Sequence, residues 1–109
     1  MKLNVFVFKN SILGCSGNPR FDDHEPEVFA KGIERMLITA DADRVAQFEN
    51  TTVYHIGEYD DETLRFKPVQ DPVLLLDCNL VLEARKVKYE ILAKIREKKE
   101  EEAEKDVQD

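Results

Sequence analysis

Four side chains of this 109-residue chain could bind a metal such as zinc or form a catalytic pair of a cysteine nucleophile and a histidine base. They are Cys15, His24, His55 and Cys78. Zinc sites draw their ligands from closely spaced pairs such as Cys-x-x-Cys or His-x-x-x-His, and these four residues form no such pair. Nothing in their spacing predicts a Cys–His contact either. We therefore expect no catalytic site, no metal site and no cofactor. The two cysteines are too few for a disulfide framework, and we expect reduced thiols with Cys78 buried.

The run Asp60-Asp61-Glu62 places three carboxylates in a row. Calcium loops need about six oxygen ligands spread over roughly twelve residues, with a glycine at the turn. The run lacks that spacing, and turn chemistry is the better interpretation, because Asp side chains accept hydrogen bonds from nearby backbone N–H groups. The glycine-rich segment 14–18 lacks the Lys-Ser/Thr of a phosphate loop. We interpret it as a flexible connector.

Aromatic and basic residues are interleaved on the predicted sheet. Proteins that bind single-stranded nucleic acid combine aromatic stacking platforms with basic rims. The alternative is that these aromatic side chains fill a core without tryptophan, which is the favoured interpretation for the Phe residues, whereas the two interpretations are balanced for Tyr54 and Tyr59. The candidate stacking residues are Phe6, Phe8, Tyr54, Tyr59 and Phe66. The residues retained as nucleic-acid-binding candidates are Lys2, Lys9, Arg20, Tyr54, Tyr59, Arg65 and Lys67.

The overall charge argues against strong binding to nucleic acid. Sixteen basic residues face 23 acidic ones, for a net charge of -7, whereas duplex binding depends largely on neutralising phosphates with Lys and Arg. Any DNA contact must therefore use a local patch, a partner or an oligomeric groove. No run reaches the ~18 apolar residues of a membrane span, and the first ten residues do not have the pattern of a signal peptide. We expect a protein of the host cytoplasm.

Hydrophobic periodicity predicts a small α+β domain with an antiparallel-dominated sheet. Residues 1–8 are apolar on both faces, which is typical of a central strand, and a short extended piece is expected near residues 20–21. A helix is predicted to begin at Pro26, which fits a first helical position. Its apolar stripe is expected to pack on the sheet, with Gly32 permitting close approach. The predicted stripe comprises Val28, Phe29, Gly32, Ile33, Met36 and Leu37.

The second half of the chain is predicted to contain a β-hairpin and a terminal helix. Residues 41–50 are interpreted as a turn or one loose helical turn anchored by Phe48. Residues 51–59 and 64–67 are predicted to flank the acidic turn as two strands, and a short further strand is expected at residues 73–76. Simple alternation puts Tyr54 and Tyr59 on opposite faces of the first of these strands.

A helix is predicted from about Asn79, so we divide the chain into an α+β domain (1–78) and a C-terminal helix with a solvated charged tail (79–109). Its narrow apolar stripe fits either packing back on the domain or a seam with a partner helix. Residues 96–109 continue without that stripe. The stripe comprises Leu80, Ala84, Val87, Ile91 and Ile95.

The hairpin region and the first strand resemble the small non-structural protein of gokushoviruses, which are phages with single-stranded DNA genomes. The resemblance covers roughly residues 1–76 and is strongest in residues 54–66. The matching residues there are Ile56-Gly57, Tyr59-Asp60-Asp61-Glu62-Thr63 and Phe66. Leu64 stands where that family commonly has glycine, which suggests a slightly different turn. The run Gly17-Asn18-Pro19-Arg20-Phe21 is similar to a glycine–proline–aromatic run of the family, with Arg20 in place of a second aromatic.

The resemblance implies a non-enzymatic role in viral DNA replication or packaging, in the switch from double-stranded synthesis to single-stranded genome production. Members of the family are usually described as non-structural or DNA-binding proteins, and no catalytic residues carry over. Our first hypothesis is therefore a phage protein with weak single-stranded DNA binding. The alternative is an adaptor that binds a replication initiator, a capsid protein or a host factor through the hairpin and terminal helix. A homo-oligomer is compatible with both.

Overall fold

The computed structural model describes residues 1–108, with side chains described through residue 104. It confirms the predicted α+β class: four antiparallel strands form one sheet in the order β2-β1-β3-β4, and three helices accompany it. The strands are β1 (Lys2–Asn10), β2 (Arg20–Asp22), β3 (Thr51–Asp60) and β4 (Arg65–Asp77). The helices are α1 (Pro26–Ile38), α2 (Ala42–Phe48) and α3 (Cys78–Gln108).

A β-bulge in β3 changes which side chains share a face of the sheet. His55 and Gly57 pair with consecutive residues of β1, which leaves Ile56 as an extra residue. As a result, Tyr54 and Tyr59 pair with β1 residues that lie an even number of positions apart. Both tyrosines therefore point to the same face, and the expectation from simple alternation that they point to opposite faces is wrong.

The hydrophobic core lies between one face of the sheet and the three helices. Leu37 of α1, Val53 of β3 and Cys78 of α3 are fully buried in it. The ring of Phe29 stacks on Phe6 of β1 with centroids 3.9 Å apart. Half-buried apolar side chains of all three helices and of β4 complete the core. They include Ile33, Met36, Phe48, Leu75, Val81 and Leu82.

Two predicted details of α1 are corrected by the structure. Val28 is 52% exposed, so it lies outside the packed stripe. Gly32 is exposed, and a Cβ atom built on it has no atom within 4 Å. Close approach of α1 to the sheet therefore does not account for Gly32, because this residue lies on the solvent side of the helix.

The connection after α1 and the last strand are more regular than predicted. Asp41 caps α2 by accepting a hydrogen bond from the Arg44 N–H at 2.9 Å, so the expected loose turn is a seven-residue helix. The return strand and the suspected further strand are one 13-residue strand, β4, with interruptions in its pairing to β3. β4 is an edge strand, so half of its backbone N–H and C=O groups have no hydrogen-bond partner in the sheet. It therefore accommodates Pro68 and Pro72, which have no N–H to donate.

Helix α3 makes the molecule elongated. It has 31 residues, which corresponds to a length of about 46 Å, and the molecule measures 77 × 29 × 23 Å. The radius of gyration of 20.3 Å exceeds the roughly 13 Å of a compact chain of this length. From residue 91 through residue 104 every side chain is exposed. None of the helices within residues 1–108 is both long and apolar enough to cross a membrane.

Candidate interaction surfaces

The face of the sheet opposite the helices is apolar and is not covered by any element of the described chain. We call it the open face. Its members are cross-strand partners, which share a face in an antiparallel sheet. Three rows cross the sheet, and together they contain Phe21, Val5, Gly57 and Pro68; Leu3, Tyr59 and Phe66; and Val7, Tyr54 and Leu74.

The open face is built around aromatic rings that remain accessible to solvent. Phe21 and Tyr59 meet edge to face, with ring centroids 5.3 Å apart. Phe21 is 54% exposed and Phe66 is 48% exposed. Val5, which is in the same row as Phe21, is only 2% exposed because larger side chains of the open face cover it. Exposed apolar patches of this kind mark interaction sites on soluble proteins more often than scattered single residues do.

Gly57 explains how the Phe66 ring can lie flat against the sheet. A Cβ atom at this position would come within 2.7 and 2.8 Å of the Phe66 ring and within 2.5 Å of the Lys67 carbonyl oxygen. Only a residue without a side chain fits such a close approach of ring and backbone. The glycine of the Ile56-Gly57 motif is therefore a packing requirement of the open face.

Three of the seven candidate nucleic-acid-binding residues lie on the open face. Tyr54 and Tyr59 are both half-buried there. Lys9 is exposed at the far end of β1, on the same side of the strand as Val7, and it pairs with Thr52. The structure therefore provides an aromatic platform with one basic residue at its margin.

Three more basic candidates, Lys2, Arg65 and Lys67, lie on the opposite face of the sheet, and each has an acidic residue as a cross-strand partner. Lys2 and Arg65 both pair with Asp60, one from each side, and Lys67 pairs with Glu58. Opposite charges in directly facing positions attract one another and lower the local positive potential. These residues therefore do not form a basic rim around the tyrosines.

The seventh candidate, Arg20, is exposed, and its guanidinium contacts an aromatic ring of the domain. Its guanidinium lies 5.2 Å from the centroid of the Phe8 ring, on the helix side of the sheet, because Arg20 pairs with Phe6. This cation–π contact holds the short strand β2 against the body of the protein. Arg20 is thus separated from Tyr54 and Tyr59 by the thickness of the sheet.

The acidic turn has the local role predicted from its sequence. The Asp60 carboxylate accepts hydrogen bonds from the backbone N–H of Glu62 at 3.0 Å and of Thr63 at 3.4 Å. The first of these bonds is the main reason why the pKa of Asp60 is lowered. Leu64 closes the turn with a φ of 60°, a left-handed conformation that favours glycine, and the Met1 ammonium group binds Asp61 at 2.7 Å.

Asp22, Asp23 and His24 form a group of metal-ligand type, with ligand atoms within 4.8 Å of one another. Asp22 and His24 already bond to each other: the Asp22 carboxylate accepts the His24 backbone N–H at 2.8 Å and contacts the imidazole. The Asp23 carboxylate lies 3.4 Å from the imidazole Nδ1. The backbone bond is the main cause of the lowered pKa of Asp22, and the contact with Asp22 raises the pKa of His24. These bonds close a turn between β2 and α1, which accounts for the cluster without an ion.

Of the remaining thiol and imidazole groups, those of Cys78 and His55 serve packing. Burial raises the pKa of the Cys78 thiol to about 11, so it is protonated at neutral pH and is a poor nucleophile. His55 bonds through Nε2 to the Asn4 side chain at 3.1 Å, and its ring lies 5.5 Å from that of Phe6. Cys15 is exposed in the connector after β1.

A groove of about 720 Å³ separates α2 from the first turns of α3. Arg85 crosses its floor and donates a hydrogen bond to the Leu37 carbonyl oxygen at the end of α1, at 2.9 Å. Asn50 and Asn79 close one end through a pair of hydrogen bonds at 2.7 and 3.0 Å. These contacts join α3 to the domain, so the groove is part of a structural junction.

The apolar stripe of α3 does not pack back on the domain. Leu80 is 64% exposed and Val87 and Ile91 are each 52% exposed. Neighbouring positions on the helix, Val81 and Leu82, make the core contacts instead. Of the two interpretations of the stripe, packing against the domain is therefore wrong.

Sequence reasoning missed Phe21 and Leu74 as parts of a surface. It grouped Phe66 and the two tyrosines with Phe6 and Phe8, but the structure places Phe6 and Phe8 on the helix side of the sheet. The β-bulge at Ile56 gave no signal in the alternation pattern. No family model, curated protein or solved structure matches this chain.

Proposed function

We propose that this chain is a non-enzymatic interaction protein of a single-stranded DNA phage, that it acts in genome replication or packaging in the host cytoplasm, and that it works by binding another protein. The phage setting rests on the resemblance of the hairpin and first strand to gokushovirus non-structural proteins. The protein-binding role rests on the open face. The partners that this setting offers are a replication initiator and a capsid protein.

The composition of the open face supports a protein partner more than a nucleic acid. Its three rows contain aromatic and aliphatic side chains, and the cores of protein interfaces are likewise enriched in aromatic residues and depleted in charge. A nucleic-acid platform needs basic groups beside its rings. Here Arg65 and Lys67 lie on the other face next to carboxylates, and the net charge of -7 opposes the approach of a polyanion.

Single-stranded DNA is the second candidate ligand, and one observation favours it. Phe21 and Phe66 present accessible rings beside Tyr59, and exposed rings stack on bases of any sequence. Lys9 is the basic residue available on the same face. Binding of this kind would be weak and would decrease as salt increases.

The two candidates are separated by measuring both kinds of binding with the same variants. Fluorescence anisotropy with a labelled oligothymidine at low salt reports DNA binding, and titration calorimetry with the purified phage initiator and capsid proteins reports protein binding. The test variant is Phe21→Ser with Phe66→Ser. The control is Val28→Ser with Ile38→Ser, which changes two similarly exposed apolar side chains on α1, across the sheet.

We expect one phage protein to bind the wild type and the control, and to bind the open-face variant at least about tenfold more weakly, a change of about 1.4 kcal/mol. Oligothymidine should not bind at low salt, where electrostatic attraction is greatest. If oligothymidine binds and the open-face variant abolishes that binding, while neither phage protein binds, the DNA candidate replaces the protein one. In that case Lys9→Glu should weaken the complex more than Arg65→Glu with Lys67→Glu.

A further inference from the structure

The apolar stripe of α3 lies on the side of the helix that faces away from the domain. Successive residues are rotated by about 100° around an α-helix, which places the five stripe residues within an arc of about 80°. Leu82 and Arg85, which bind α3 to the domain, lie on the other side of the helix. Val81 also contacts the core and lies beside the stripe. All five stripe residues are exposed in the folded chain. They are Leu80, Ala84, Val87, Ile91 and Ile95.

The stripe has the spacing of a short coiled-coil seam. Leu80, Ala84, Val87 and Ile91 follow one another at alternating steps of four and three residues, which is the d-a-d-a pattern of a heptad repeat. Continuing this pattern puts Lys94, Lys98 and Glu101 at core positions, and it puts Ile95 at an e position beside the seam. Pairing of identical charged residues at core positions is unfavourable, so the seam runs from Leu80 to Ile91.

The charged residues beside the seam distinguish between possible partners. Glu83 and Glu90 occupy successive g positions on one side of the stripe, and Lys88 occupies an e position on the other side. In a parallel pair of identical helices each g residue faces the e residue of the next heptad. Glu83 of one copy then faces Lys88 of the other, and twofold symmetry forms this ion pair twice.

An antiparallel pair would bring like charges together. In that arrangement g positions face g positions and e positions face e positions. In the antiparallel register that pairs the apolar seam, Leu80 faces Ile91 and Ala84 faces Val87 of the partner. Glu83 of each copy then approaches Glu90 of the other. Like charges in such positions destabilise the pair. The flanking charges therefore select the parallel arrangement.

We propose that the protein forms a parallel homodimer through this stripe of α3. The occupant of the stripe is a second copy of the same helix, and Leu80, Val87 and Ile91 of each copy pack against their counterparts. Because the stripe and the domain lie on different sides of α3, the two domains are positioned outside the helix pair and do not obstruct it. The open faces of both domains remain available.

Sedimentation equilibrium of the full chain at a series of concentrations tests the proposal. We expect a change from the 12.6 kDa monomer mass to twice that mass as concentration increases. Val87→Glu with Ile91→Glu should raise the dissociation constant at least about tenfold. The matched control is Leu92→Glu, which changes a 44% exposed apolar residue of the same helix at a position off the seam. Circular dichroism confirms that each variant keeps the fold.

Charge reversal tests the direction of the helices. In the parallel dimer Glu83→Lys faces Lys88 and weakens association, and adding Lys88→Glu restores it. In an antiparallel dimer Glu83→Lys would instead face Glu90 and strengthen association. A wild-type chain that stays monomeric at its highest soluble concentration would overturn the proposal, as would a dimer that survives Val87→Glu with Ile91→Glu. Strengthening by Glu83→Lys would overturn the parallel arrangement.

Discussion

Replacing Gly57 by alanine should destabilise the protein, because the added methyl group has no space. The new Cβ atom would lie 2.5 Å from the Lys67 carbonyl oxygen and 2.7 Å from the Phe66 ring, whereas real contacts of this kind do not come closer than 3.0 Å. The Phe66 ring is half exposed and can rotate away. The carbonyl belongs to the backbone of β4, so the strand itself must move by at least about 0.5 Å.

The size of the effect follows from the cost of overfilling a packed site, which is roughly 1–3 kcal/mol. For a domain of this size a change of 1 kcal/mol shifts Tm by roughly 4–8 °C. A loss of 2 kcal/mol therefore corresponds to a Tm about 8–16 °C lower. Because the backbone contact remains when the ring is removed, adding Phe66→Ala should not restore the stability of the Gly57→Ala variant.

The matched control is the same substitution at Gly32. A methyl group on this exposed helical residue meets no atom within 4 Å, and alanine is favoured over glycine inside a helix by roughly 0.5–1 kcal/mol. Gly32→Ala should therefore raise Tm while Gly57→Ala lowers it, both measured by thermal melts followed by circular dichroism. An unchanged Tm for Gly57→Ala, or shifts of the same sign at both positions, would refute this account of the open face.

Three further predictions concern the tail, the thiols and the turn after β2. Deleting Arg96–Asp109 should leave Tm within about 2 °C of the full chain, since the described side chains of that segment are exposed; a larger loss would show that the tail stabilises the fold. A thiol reagent at pH 8 should modify Cys15 in the native protein and reach Cys78 only after unfolding, because Cys78 is buried and its pKa is raised; modification of both thiols at equal rates would contradict this. NMR titration should give His24 a pKa above 6.5, and Asp22→Asn should lower it. The contact between charged His24 and charged Asp22 should stabilise the fold below pH 6.5. This stabilisation should be lost as pH rises through the raised pKa of His24, and also as pH falls through the lowered pKa of Asp22. A His24 pKa that does not change in Asp22→Asn would exclude this contact.

The elements with a clear hydrophobic period could be predicted from the sequence. Apolar residues on both faces identified β1 as a central strand, and Pro26 marked the first residue of α1. The acidic turn was recognisable because the bonding of Asp60 to the next backbone N–H groups depends on neighbouring residues alone. Such features are local, and local patterns in the sequence determine them.

The composition of the open face could not be predicted, because it depends on non-local pairing. The extra residue Ile56 reverses the direction of every side chain after it, and no local pattern announces such a bulge. The side of α3 that would contact the domain was also undetermined, because the helix has apolar residues on both sides. Val81 and Leu82 form the junction, and the more regular stripe that begins at Leu80 remains exposed.

The most direct test of the proposed function is site-specific photo-cross-linking in host cells that produce the phage. A benzophenone amino acid replaces Phe66 on the open face or, as a control, Val28 on α1, which is similarly exposed. We predict that position 66 forms a cross-link to a phage replication or capsid protein and that position 28 does not. Cross-links to DNA alone from position 66, or protein cross-links from position 28 and none from position 66, would contradict the proposal that the open face binds a protein.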